Sequence, residues 1–581
     1  MQDQNLHTAA FSWIPANAQE PAPSSLRGAI AQRRERSARL EPATVPRTDA
    51  EFDLPSISEH YVTRILDTLA ERGDDPVLWW EDAPVSGTTF GNSVRAATAA
   101  LRELGVGTGS TVAILTRNNS PSTLTARYAA HLLGASVVHI RGANPGTSGP
   151  DLSIETQVRM LGETKASVLV FDSERAQRAK ALSDLMPGGL KLGCFGAPVP
   201  GAAALDGPVA ETDIAPQKPE RANVTYTSGS TGRPKGVCLR FDAWNSTVLW
   251  GASAVPDGAA IKFLAVSPLS HSVGLVVDIM IAAGGTVLLH DGFEAGAALR
   301  AIERFRVTGT MIGVPQLYAL LDHPDLKTTD VSSLYQLLYV GCPASPARLE
   351  QALPVFGAAL TQNYGTTEAG RITLLSPADH QRPELLSTVG RPSPDVALKI
   401  CDPETGREVG EGEIGEVCVR STNMMSGYVD DPELTARVLR DGWLHTGDFG
   451  RLDGEGYLRL FGRIGDIIKA GDTKVYPADV EKVLTGHPDV VDACVYAQKD
   501  ADELEHVHAA VVLRPDGRTR FSTLREHVGK AMSVRHAPVR FVRWEQLPLS
   551  ASGKVDRQRV QQLGARIMHE DEAAVIQGGV A

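Results

Sequence analysis

The sequence predicts an α/β protein with a large first domain and a smaller second one. Its 581 residues exceed what one hydrophobic core supports, so at least two domains are expected. From about residue 58, short apolar runs alternate with helical patterns, as they do around mostly parallel sheets. After about residue 385 the pattern changes to short strands separated by Gly and Asp turns. These observations favour a large α/β region followed by smaller antiparallel and α+β parts.

The clearest βαβ unit lies between residues 110 and 140. The run STVAILTRN (110–118) predicts a buried strand, and SVVHI (136–140) predicts the next one. Between them, SPSTLTARYAAHLLGA (120–135) predicts a helix that starts near Ser120 or Ser122. Two strands joined in this way are expected to be parallel. The same alternation predicts strands in 167–172, 262–268, 307–315 and 335–341.

The later part of the chain has a different pattern of predicted secondary structure. Residues 396–421 alternate strands with Gly and Asp turns, which predicts a small antiparallel sheet or barrel. Gly410, Gly412 and Gly415 match G-x-G-x-x-G, but the match leads into a strand rather than a helix. We therefore interpret it as a turn and not as a dinucleotide site. Residues 467 to about 565 predict a small α+β domain.

The ends of the chain and its composition exclude several classes of protein. Residues 1–55 predict a disordered tail, and residues 566–581 predict a flexible one. A net charge of −12 argues against a nucleic-acid partner, and no apolar run approaches the ~18 residues of a membrane span. The six cysteines are scattered without a Cys-x-x-Cys pair, which suggests neither a zinc site nor a disulfide framework. A cytoplasmic enzyme is the expectation.

The stretch YTSGSTGRPKGV (226–237) is too polar and too flexible for a core segment. Its glycines let backbone N–H groups converge, and its hydroxyls and Lys235 add donors around an anion. A phosphate loop and a solvated surface loop both fit this stretch alone. The Walker pattern does not fit, because Gly236 rather than Ser or Thr follows Lys235.

Further motifs follow this loop in a fixed order. They are SPLSHSVG (267–274), VGCPASP (340–346), NYGTTEAG (363–370), GWLHTGD (442–448), GRIGDIIKAGDTKVYP (462–477) and SASGKVDR (550–557). Over roughly residues 58–560 the chain resembles the adenylate-forming superfamily of acyl-CoA synthetases, standalone adenylation domains and luciferases. The resemblance implies a large adenylation domain (56–462) of two α/β subdomains plus a small β-barrel. A hinge (463–466) and a small mobile α+β domain (467–565) would follow.

The resemblance also implies a reaction. An ATP-dependent ligase of this kind converts a carboxylate and Mg·ATP to acyl-AMP and pyrophosphate, and then transfers the acyl group. The default acceptor is the thiol of CoA or of phosphopantetheine on a carrier protein. The alternatives are an amide synthetase with an amine acceptor, and an inactive nucleotide-binding relative.

Most of the implied site residues contact the nucleotide. Those of the phosphate loop are Thr227, Ser228, Gly229, Ser230, Thr231, Gly232 and Lys235. Those around adenine are Gly341, Cys342, Pro343, Asn363, Tyr364 and Gly365, with Tyr364 stacked on the base and Asn363 near its amino edge. Thr366 and Thr367 would contact phosphate, Asp448 would accept the ribose hydroxyls, and Arg463 would support the ribose.

Charge neutralisation explains the remaining catalytic residues. A carboxylate that attacks the α-phosphate brings two anions together. Lys554 resembles the family lysine that bridges them, and Glu368 resembles the magnesium ligand. His271 resembles a residue beside the acyl pocket and the α-phosphate, where an imidazole can form hydrogen bonds.

The acid is expected to be aromatic or aliphatic. Val273, Gly274 and Val277 would line its pocket, although they equally suit a helix packing face. Relatives that activate α-amino acids carry an aspartate in this region, and SHSVGLVV has none before Asp278. An α-amino acid is therefore not expected.

The acceptor region departs from the family pattern at two positions. Gly465 stands at the hinge pivot, where Lys or Asp is usual, and Asp472 replaces a glycine of the CoA-using relatives. With Lys469 and Gly471, these residues would border the acceptor channel. A carboxylate at position 472 would narrow the channel and repel CoA phosphates, or it would attract an amine.

Overall fold

The computed structural model describes residues 57–140, 151–208, 215–227, 234–256, 258–470, 473–500, 504–515, 517–549 and 555–567. The predicted tail 1–55 lies outside these residues, as does the predicted tail 566–581 except for the last two residues of the final helix. Among the predicted site residues, 228–232, Gly471, Asp472 and Lys554 also lie outside them.

The strands of the large α/β region include one at each of the six predicted places. They are β1 (Pro76–Trp80), β2 (Ala83–Ser86), β3 (Thr111–Leu115), β4 (Ser136–His139), β5 (Val168–Asp172), β6 (Lys191–Phe195), β7 (Ala202–Ala204), β8 (Arg221–Thr227), β9 (Lys235–Arg240), β10 (Lys262–Ala265), β11 (Thr286–Leu289), β12 (Gly309–Gly313), β13 (Gln336–Val340), β14 (Leu360–Thr366), β15 (Gly370–Leu375) and β16 (Arg391–Pro392).

Helices alternate with these strands. They are α1 (Tyr61–Arg72), α2 (Gly87–Glu103), α3 (Pro121–Leu132), α4 (Ile154–Glu163), α5 (Ala176–Leu185), α6 (Phe241–Ser253), α7 (Ser272–Ala282), α8 (Ala295–Phe305), α9 (Val314–Asp322) and α10 (Pro346–Phe356). The predicted start of α3 is confirmed, since Ser120 is its N-cap residue and Pro121 occupies its first position.

Two large sheets organise this region. The first has nine strands in the order β16-β15-β14-β13-β12-β10-β11-β1-β2, parallel from β14 to β1. Strands β3 to β9 form the second with β19 (Gly427–Tyr428), in the order β19-β9-β8-β4-β3-β5-β6-β7. Its strands β8-β4-β3-β5-β6-β7 are parallel. The predicted parallel α/β class is confirmed.

The largest hydrophobic cluster packs α1, α3 and α7 against the first sheet. It contains Tyr61 of α1, Tyr128 of α3 and Val277 of α7, together with Phe263 and Val287 of the first sheet. A second cluster covers the other face of the first sheet with α8, α9 and α10. Two further clusters cover the faces of the second sheet. Helices therefore pack on both faces of each sheet, as in doubly wound proteins.

The predicted small sheet or barrel is a five-stranded antiparallel sheet. Its strands are β17 (Val396–Cys401), β18 (Gly415–Ser421), β20 (Leu439–Arg440), β21 (Trp443–Leu452) and β22 (Leu458–Arg463), and α11 (Pro432–Val438) precedes β20. The Gly410–Gly415 match lies between β17 and β18, which pair antiparallel, so the turn prediction is confirmed.

The C-terminal part is α+β, as predicted. A hairpin of β23 (Ile468–Ala470) and β24 (Thr473–Val475) precedes α12 (Pro477–Thr485). A three-stranded sheet follows, with β25 (Val490–Lys499), β26 (Glu505–Leu513) and β27 (Arg540–Trp544), packed with α13 (Phe521–Ala531) and α14 (Arg557–Ile567). No helix in the described ranges has both the length and the apolar character needed to cross a membrane.

Candidate active site

The predicted site residues gather at one edge of the first sheet. Strands β13 and β14 are parallel neighbours, with Val340 level with Asn363, so both strands end at this edge. The segment 341–343 follows β13 directly, and Asn363 to Thr366 form the end of β14. Ligands of open α/β sheets bind at the carboxyl ends of the parallel strands. The two predicted adenine walls are therefore adjacent.

Tyr364, Asp448 and Arg463 form what we call the edge cluster. The Tyr364 hydroxyl donates a hydrogen bond of 2.7 Å to Asp448 Oδ2, and Arg463 Nε lies 2.7 Å from Asp448 Oδ1. Burial, and then the Asp448 charge, raise the pKa of the Tyr364 phenol well above its usual value. The side chain of Arg463 is 57% exposed and that of Asp448 is 11% exposed. The carboxylate is therefore fixed in position at an accessible edge.

Asn363 brings an unsatisfied acceptor to the same edge. Its Oδ1 atom is buried and has no hydrogen-bond partner among the described residues. Next to it, Gly341 has φ +105°, a conformation that favours glycine. A buried acceptor without a partner is costly, so this position fits a ligand that brings an N–H group.

A second group connects Glu368 with Lys235. The Tyr428 hydroxyl donates a hydrogen bond of 2.8 Å to Glu368 Oε1, and Lys235 Nζ lies 5.9 Å from the centre of the Tyr428 ring. Burial, and then the Glu368 charge, raise the pKa of Tyr428. The phenol is therefore a stable donor, and it fixes the Glu368 carboxylate on the same side of the site as Lys235.

The ends of the glycine-rich loop are defined by strand pairing. Thr227 at the end of β8 lies level with Lys235 at the start of β9, and the two strands are antiparallel. The glycine-rich segment therefore joins two antiparallel neighbours, and its residues 228–233 lie outside the described residues. On the same strand, Thr225 Oγ1 lies 3.4 Å from the carbonyl oxygen of Ser270, beside His271.

His271 stands at the N-cap position of α7. The Ser270 hydroxyl and His271 Nδ1 are 2.9 Å apart and share a hydrogen bond. Thr225 connects this helix start to β8, so His271 lies near the base of the glycine-rich hairpin. The structure thus places His271 beside β8, and its role at the acyl pocket and the α-phosphate remains a prediction.

Three predicted acyl-pocket residues are packed in the core. Val273 and Val277 are buried members of the largest hydrophobic cluster. A Cβ atom on Gly274 would overlap the Leu269 carbonyl oxygen, so close packing requires glycine here. The described contacts of these residues are those of a helix packing face, and their role in an acyl pocket remains a prediction.

Arg127, Tyr128, Trp244 and Asp278 form what we call the buried cluster. Arg127 Nη2 pairs with Asp278 Oδ1, and both side chains are 0% exposed. The Tyr128 hydroxyl donates to Asp278 Oδ1 at 2.7 Å, and Trp244 Nε1 donates to Asp278 Oδ2 at 3.0 Å. Asp278 is therefore committed to the core: both of its oxygens have partners, and its side chain is not exposed to a substrate ammonium group.

The predicted hinge is linked to the C-terminal helix. Arg557 Nε lies 3.5 Å from Asp466 Oδ2, and Arg557 Nη1 donates to Glu481 Oε1 at 2.6 Å. A Cβ atom on Gly465 would meet nothing within 4 Å. The Lys469 side chain is exposed, while its N–H donates to Glu505. The domain boundaries themselves remain predictions.

Sequence reasoning missed two residues of this region. Tyr428 contacts both Glu368 and Lys235 from a distant segment, and no local pattern marks it. Thr446 accepts the Asp448 N–H on its hydroxyl at 3.1 Å and the Arg463 guanidinium on its carbonyl at 3.0 Å. Its position two residues before Asp448 in the motif HTGD could have identified it from the sequence.

Comparison with known proteins identifies the family. The family "AMP-binding enzyme" matches residues 66–429, and "AMP-binding enzyme C-terminal domain" matches residues 479–554. A medium/long-chain-fatty-acid–CoA ligase, FadD8 of Mycobacterium tuberculosis, is 32% identical over 520 residues, covering 86% of this chain and 89% of the relative. A feruloyl-CoA synthase of an Amycolatopsis species is 35% identical over 470 residues, covering 78% and 89%.

A solved structure agrees with the sequence matches. The amide bond synthetase McbA from Marinactinospora thermotolerans has a TM-score of 0.78 and 35% identity, and the match covers 87% of this chain and 99% of that one. The predicted fold class is confirmed by this likeness and by the two family matches. The chain therefore belongs to the AMP-binding enzymes of the adenylate-forming superfamily, as its motifs indicated, and is an adenylate-forming ligase.

Proposed function

We propose that this protein activates a carboxylic acid with Mg·ATP at the edge formed by β13 and β14, and then transfers the acyl group to a thiol. The observation that carries the proposal is the arrangement at that edge. It combines an unsatisfied buried amide oxygen, an aromatic ring and a fixed carboxylate on neighbouring segments. An adenine amino group, an adenine face and a ribose diol are the complementary groups of one ligand.

Each nucleoside contact follows from the chemistry of these side chains. Asn363 Oδ1 would accept the adenine N–H that it lacks, and Tyr364 would stack on the base. Gly341, Cys342 and Pro343 would form the opposite wall. Asp448 would accept both ribose hydroxyls, and Arg463 and Thr446 would hold it in place.

The phosphates would lie between Lys235 and Glu368. Lys235 is a compact cation at the end of the hairpin, where the loop donors of residues 227–232 and the hydroxyls of Thr366 and Thr367 would also converge. A carboxylate suits Mg²⁺, and within the part of the chain that the structure describes Tyr428 hydrogen-bonds to Oε1 of Glu368 only, so the residues fit the ion. When bound, the ion would neutralise phosphate charge.

The attack on the α-phosphate needs a further positive charge. Lys554 would supply it by bridging the carboxylate and the α-phosphate oxygens. His271 would face the acyl carboxylate from the start of α7. Withdrawal of the small domain about the hinge at Gly465 would then admit the acceptor.

The acid class follows from the buried cluster. Because Asp278 is paired with Arg127 and hydrogen-bonded to Tyr128 and Trp244, it cannot neutralise an ammonium group. We propose an acid without an α-amino group, either aromatic or aliphatic. A cytoplasmic location remains a prediction from composition.

The acceptor is proposed to be the thiol of CoA or of a phosphopantetheine carrier. The curated relatives FadD8 and feruloyl-CoA synthase are named for CoA chemistry, which supports this choice. The likeness to McbA, an amide bond synthetase, favours an amine as the second candidate. Asp472, which replaces the glycine of CoA-using relatives, is the sequence feature that favours the amine.

One experiment tests both the activation of the acid and the identity of the acceptor. The full chain is incubated with ATP, Mg²⁺ and a library of acids, with CoA and a set of amines in parallel, and products are identified by mass spectrometry. We expect pyrophosphate and an acyl thioester for at least one acid. Amides without thioesters would reject the thiol, and no acid-dependent pyrophosphate release would reject the ligase.

A further inference from the structure

Three buried polar atoms without partners lie on one side of the second sheet. They are Arg127 Nε, His139 Nε2 and Asn223 Oδ1, and none has a hydrogen-bond partner among the described residues. Arg127 is 0% exposed and Asn223 is 2% exposed. Buried polar atoms are almost always satisfied, so these three atoms need an explanation.

Strand register places His139 and Asn223 on one face of neighbouring strands, two positions apart along the strand direction. Strands β4 and β8 are parallel, with Val137 level with Asn223 and Val138 level with Val224. Side chains alternate between faces, so His139 shares the face of Val137 and Asn223. Val138 and Val224 pack together in a different cluster on the opposite face. The two polar side chains therefore lie on the same face of neighbouring strands.

Helix α3, which carries Arg127, covers this face. Val137 packs in one cluster with Ala126, Ala129 and Ala130 of α3. Burial, then the charges of Arg127 and His271, lower the pKa of His139 to about 3. His139 is therefore neutral near pH 7, and it lies close enough to Arg127 and His271 for their charges to act on it.

The same arginine connects this face to the proposed acyl site. Arg127 Nη1 donates to the Leu269 carbonyl at 3.1 Å, and Nη2 donates to the Gly274 carbonyl at 3.2 Å. These two carbonyls flank His271 at the start of α7. The unsatisfied atoms thus lie behind the histidine that faces the acid in the proposed function.

The hydrogen-bonding capacity of the three atoms selects the ligand. Arg127 Nε is a donor, Asn223 Oδ1 is an acceptor, and neutral His139 Nε2 can be either. A carboxylate would be repelled by the asparagine oxygen, and a cation would be repelled by the guanidinium. A hydroxyl group both accepts and donates, so it matches the set.

We propose that Arg127, His139 and Asn223 form a polar subsite for a neutral hydroxyl group that the acid carries away from its carboxylate. This proposal rests on the proposed function and specifies its substrate class. A site built to bond a substrate hydroxyl discriminates against the analogue without it, because the buried polar groups then remain unpaired.

The test compares matched acids in ATP–pyrophosphate exchange. The pairs are cinnamic acid with its ring-hydroxylated forms, and octanoic acid with 8-hydroxyoctanoic acid. For at least one pair we expect kcat/KM to be about tenfold or more higher for the hydroxylated member. Calorimetric titration of each acid without ATP should show the same preference in Kd.

The variants are Asn223→Leu and His139→Leu, with Val138→Ala on the opposite face as the matched control. We expect either leucine variant to reduce the preference to about threefold or less, and the control to keep it. If Asn223→Leu does not fold, as judged by its thermal transition, His139→Leu carries the test.

Some outcomes overturn the subsite alone. Exchange with no preference between paired acids in the wild type would do so. So would leucine variants that weaken both members of a pair equally, because the cluster would then hold only structural water. No exchange with any acid would instead reject the proposed function, and the subsite with it.

Discussion

The edge cluster and the buried cluster use the same three residue types in opposite environments. In each, a tyrosine hydroxyl donates at 2.7 Å to an aspartate that also pairs with an arginine. In the buried cluster both charged side chains are 0% exposed, whereas Arg463 of the edge cluster is 57% exposed. Burial, rather than residue type, therefore separates an ion pair that holds the core together from one that a nucleotide can reach.

The two clusters also differ in what they join. The edge cluster connects β14 of the nine-stranded sheet with β21 and β22 of the five-stranded sheet. The buried cluster fixes α3, α6 and α7 to one another within the largest hydrophobic core. We therefore expect changes in the buried cluster to affect folding and changes in the edge cluster to affect nucleotide binding.

The largest expected effect is on stability. Arg127→Leu leaves the Asp278 carboxylate buried without its cation, which should lower the free energy of unfolding by about 3–5 kcal/mol. The matched control, Arg463→Leu, removes a largely exposed arginine and should cost about 1 kcal/mol or less. Urea unfolding followed by circular dichroism measures both. Equal losses in the two variants would invalidate the distinction between the clusters.

The surroundings of the buried cluster should make stability dependent on pH. Tyr61 contacts His131 at 2.7 Å, and His60 stacks on Tyr61. Burial lowers the pKa of His60 from 6.5 to about 4. The unfolded chain therefore takes up this proton at a higher pH, and stability is lost as pH falls from 6.5 towards 4.

The variant His60→Asn isolates this contribution. Asparagine can retain the N-cap bond that His60 accepts from Val62 N–H, but it does not titrate. Between pH 7 and pH 5 the variant should lose about 2 kcal/mol less unfolding free energy than the wild type. An identical loss in both proteins would show that His60 does not contribute to acid sensitivity.

Substitutions in the edge cluster should instead weaken the binding of ATP. Asp448→Ala removes the acceptor for the ribose and should raise the KM for ATP about tenfold or more, since hydrogen bonds to charged groups contribute about 1.5–3 kcal/mol. Tyr364→Phe keeps the ring and the carboxylate, so it should raise this KM less. Steady-state kinetics at saturating acid measures both. A larger effect for Tyr364→Phe would contradict the ribose assignment of Asp448.

The smallest expected effect concerns the metal. Glu368→Gln keeps the shape of the side chain but offers a poorer ligand to a hard cation. ATP binding should persist, and the Mg²⁺ concentration for half-maximal pyrophosphate exchange should rise about fivefold. Tyr428→Phe is the matched control for the hydrogen bond to Glu368 Oε1. An unchanged Mg²⁺ requirement in the glutamine variant would exclude Glu368 as the ligand.

The elements of the large domain could be predicted because local patterns decide them. Buried parallel strands such as β3 and β5 are rich in consecutive apolar residues, and Ser120-Pro121 marks the start of α3. The motifs at 340–346 and 363–370 also lie at the strand ends that form this edge. These features depend on residues that are close together in the sequence.

The features of the site that the sequence did not predict depend on contacts between distant segments. Tyr428 reaches Glu368 across 60 positions, and Arg127 pairs with Asp278 across 151 positions. An isolated tyrosine or a lone arginine in a helix gives no local sign of such a partner. For the same reason, Val273 and Val277 could not be assigned from sequence to either a pocket or a packing face.

Half-reaction kinetics of Lys554→Ala measure directly whether Lys554 helps to form acyl-AMP. Exchange of labelled pyrophosphate into ATP, in the presence of an accepted acid, measures adenylation. Transfer from pre-formed acyl-AMP to the acceptor measures the second step. We expect exchange to fall by roughly 10²–10³, because one well-placed charge contact contributes ~3–4 kcal/mol to the transition state, while transfer persists. Equal loss in both half-reactions, or unimpaired exchange, would contradict the account.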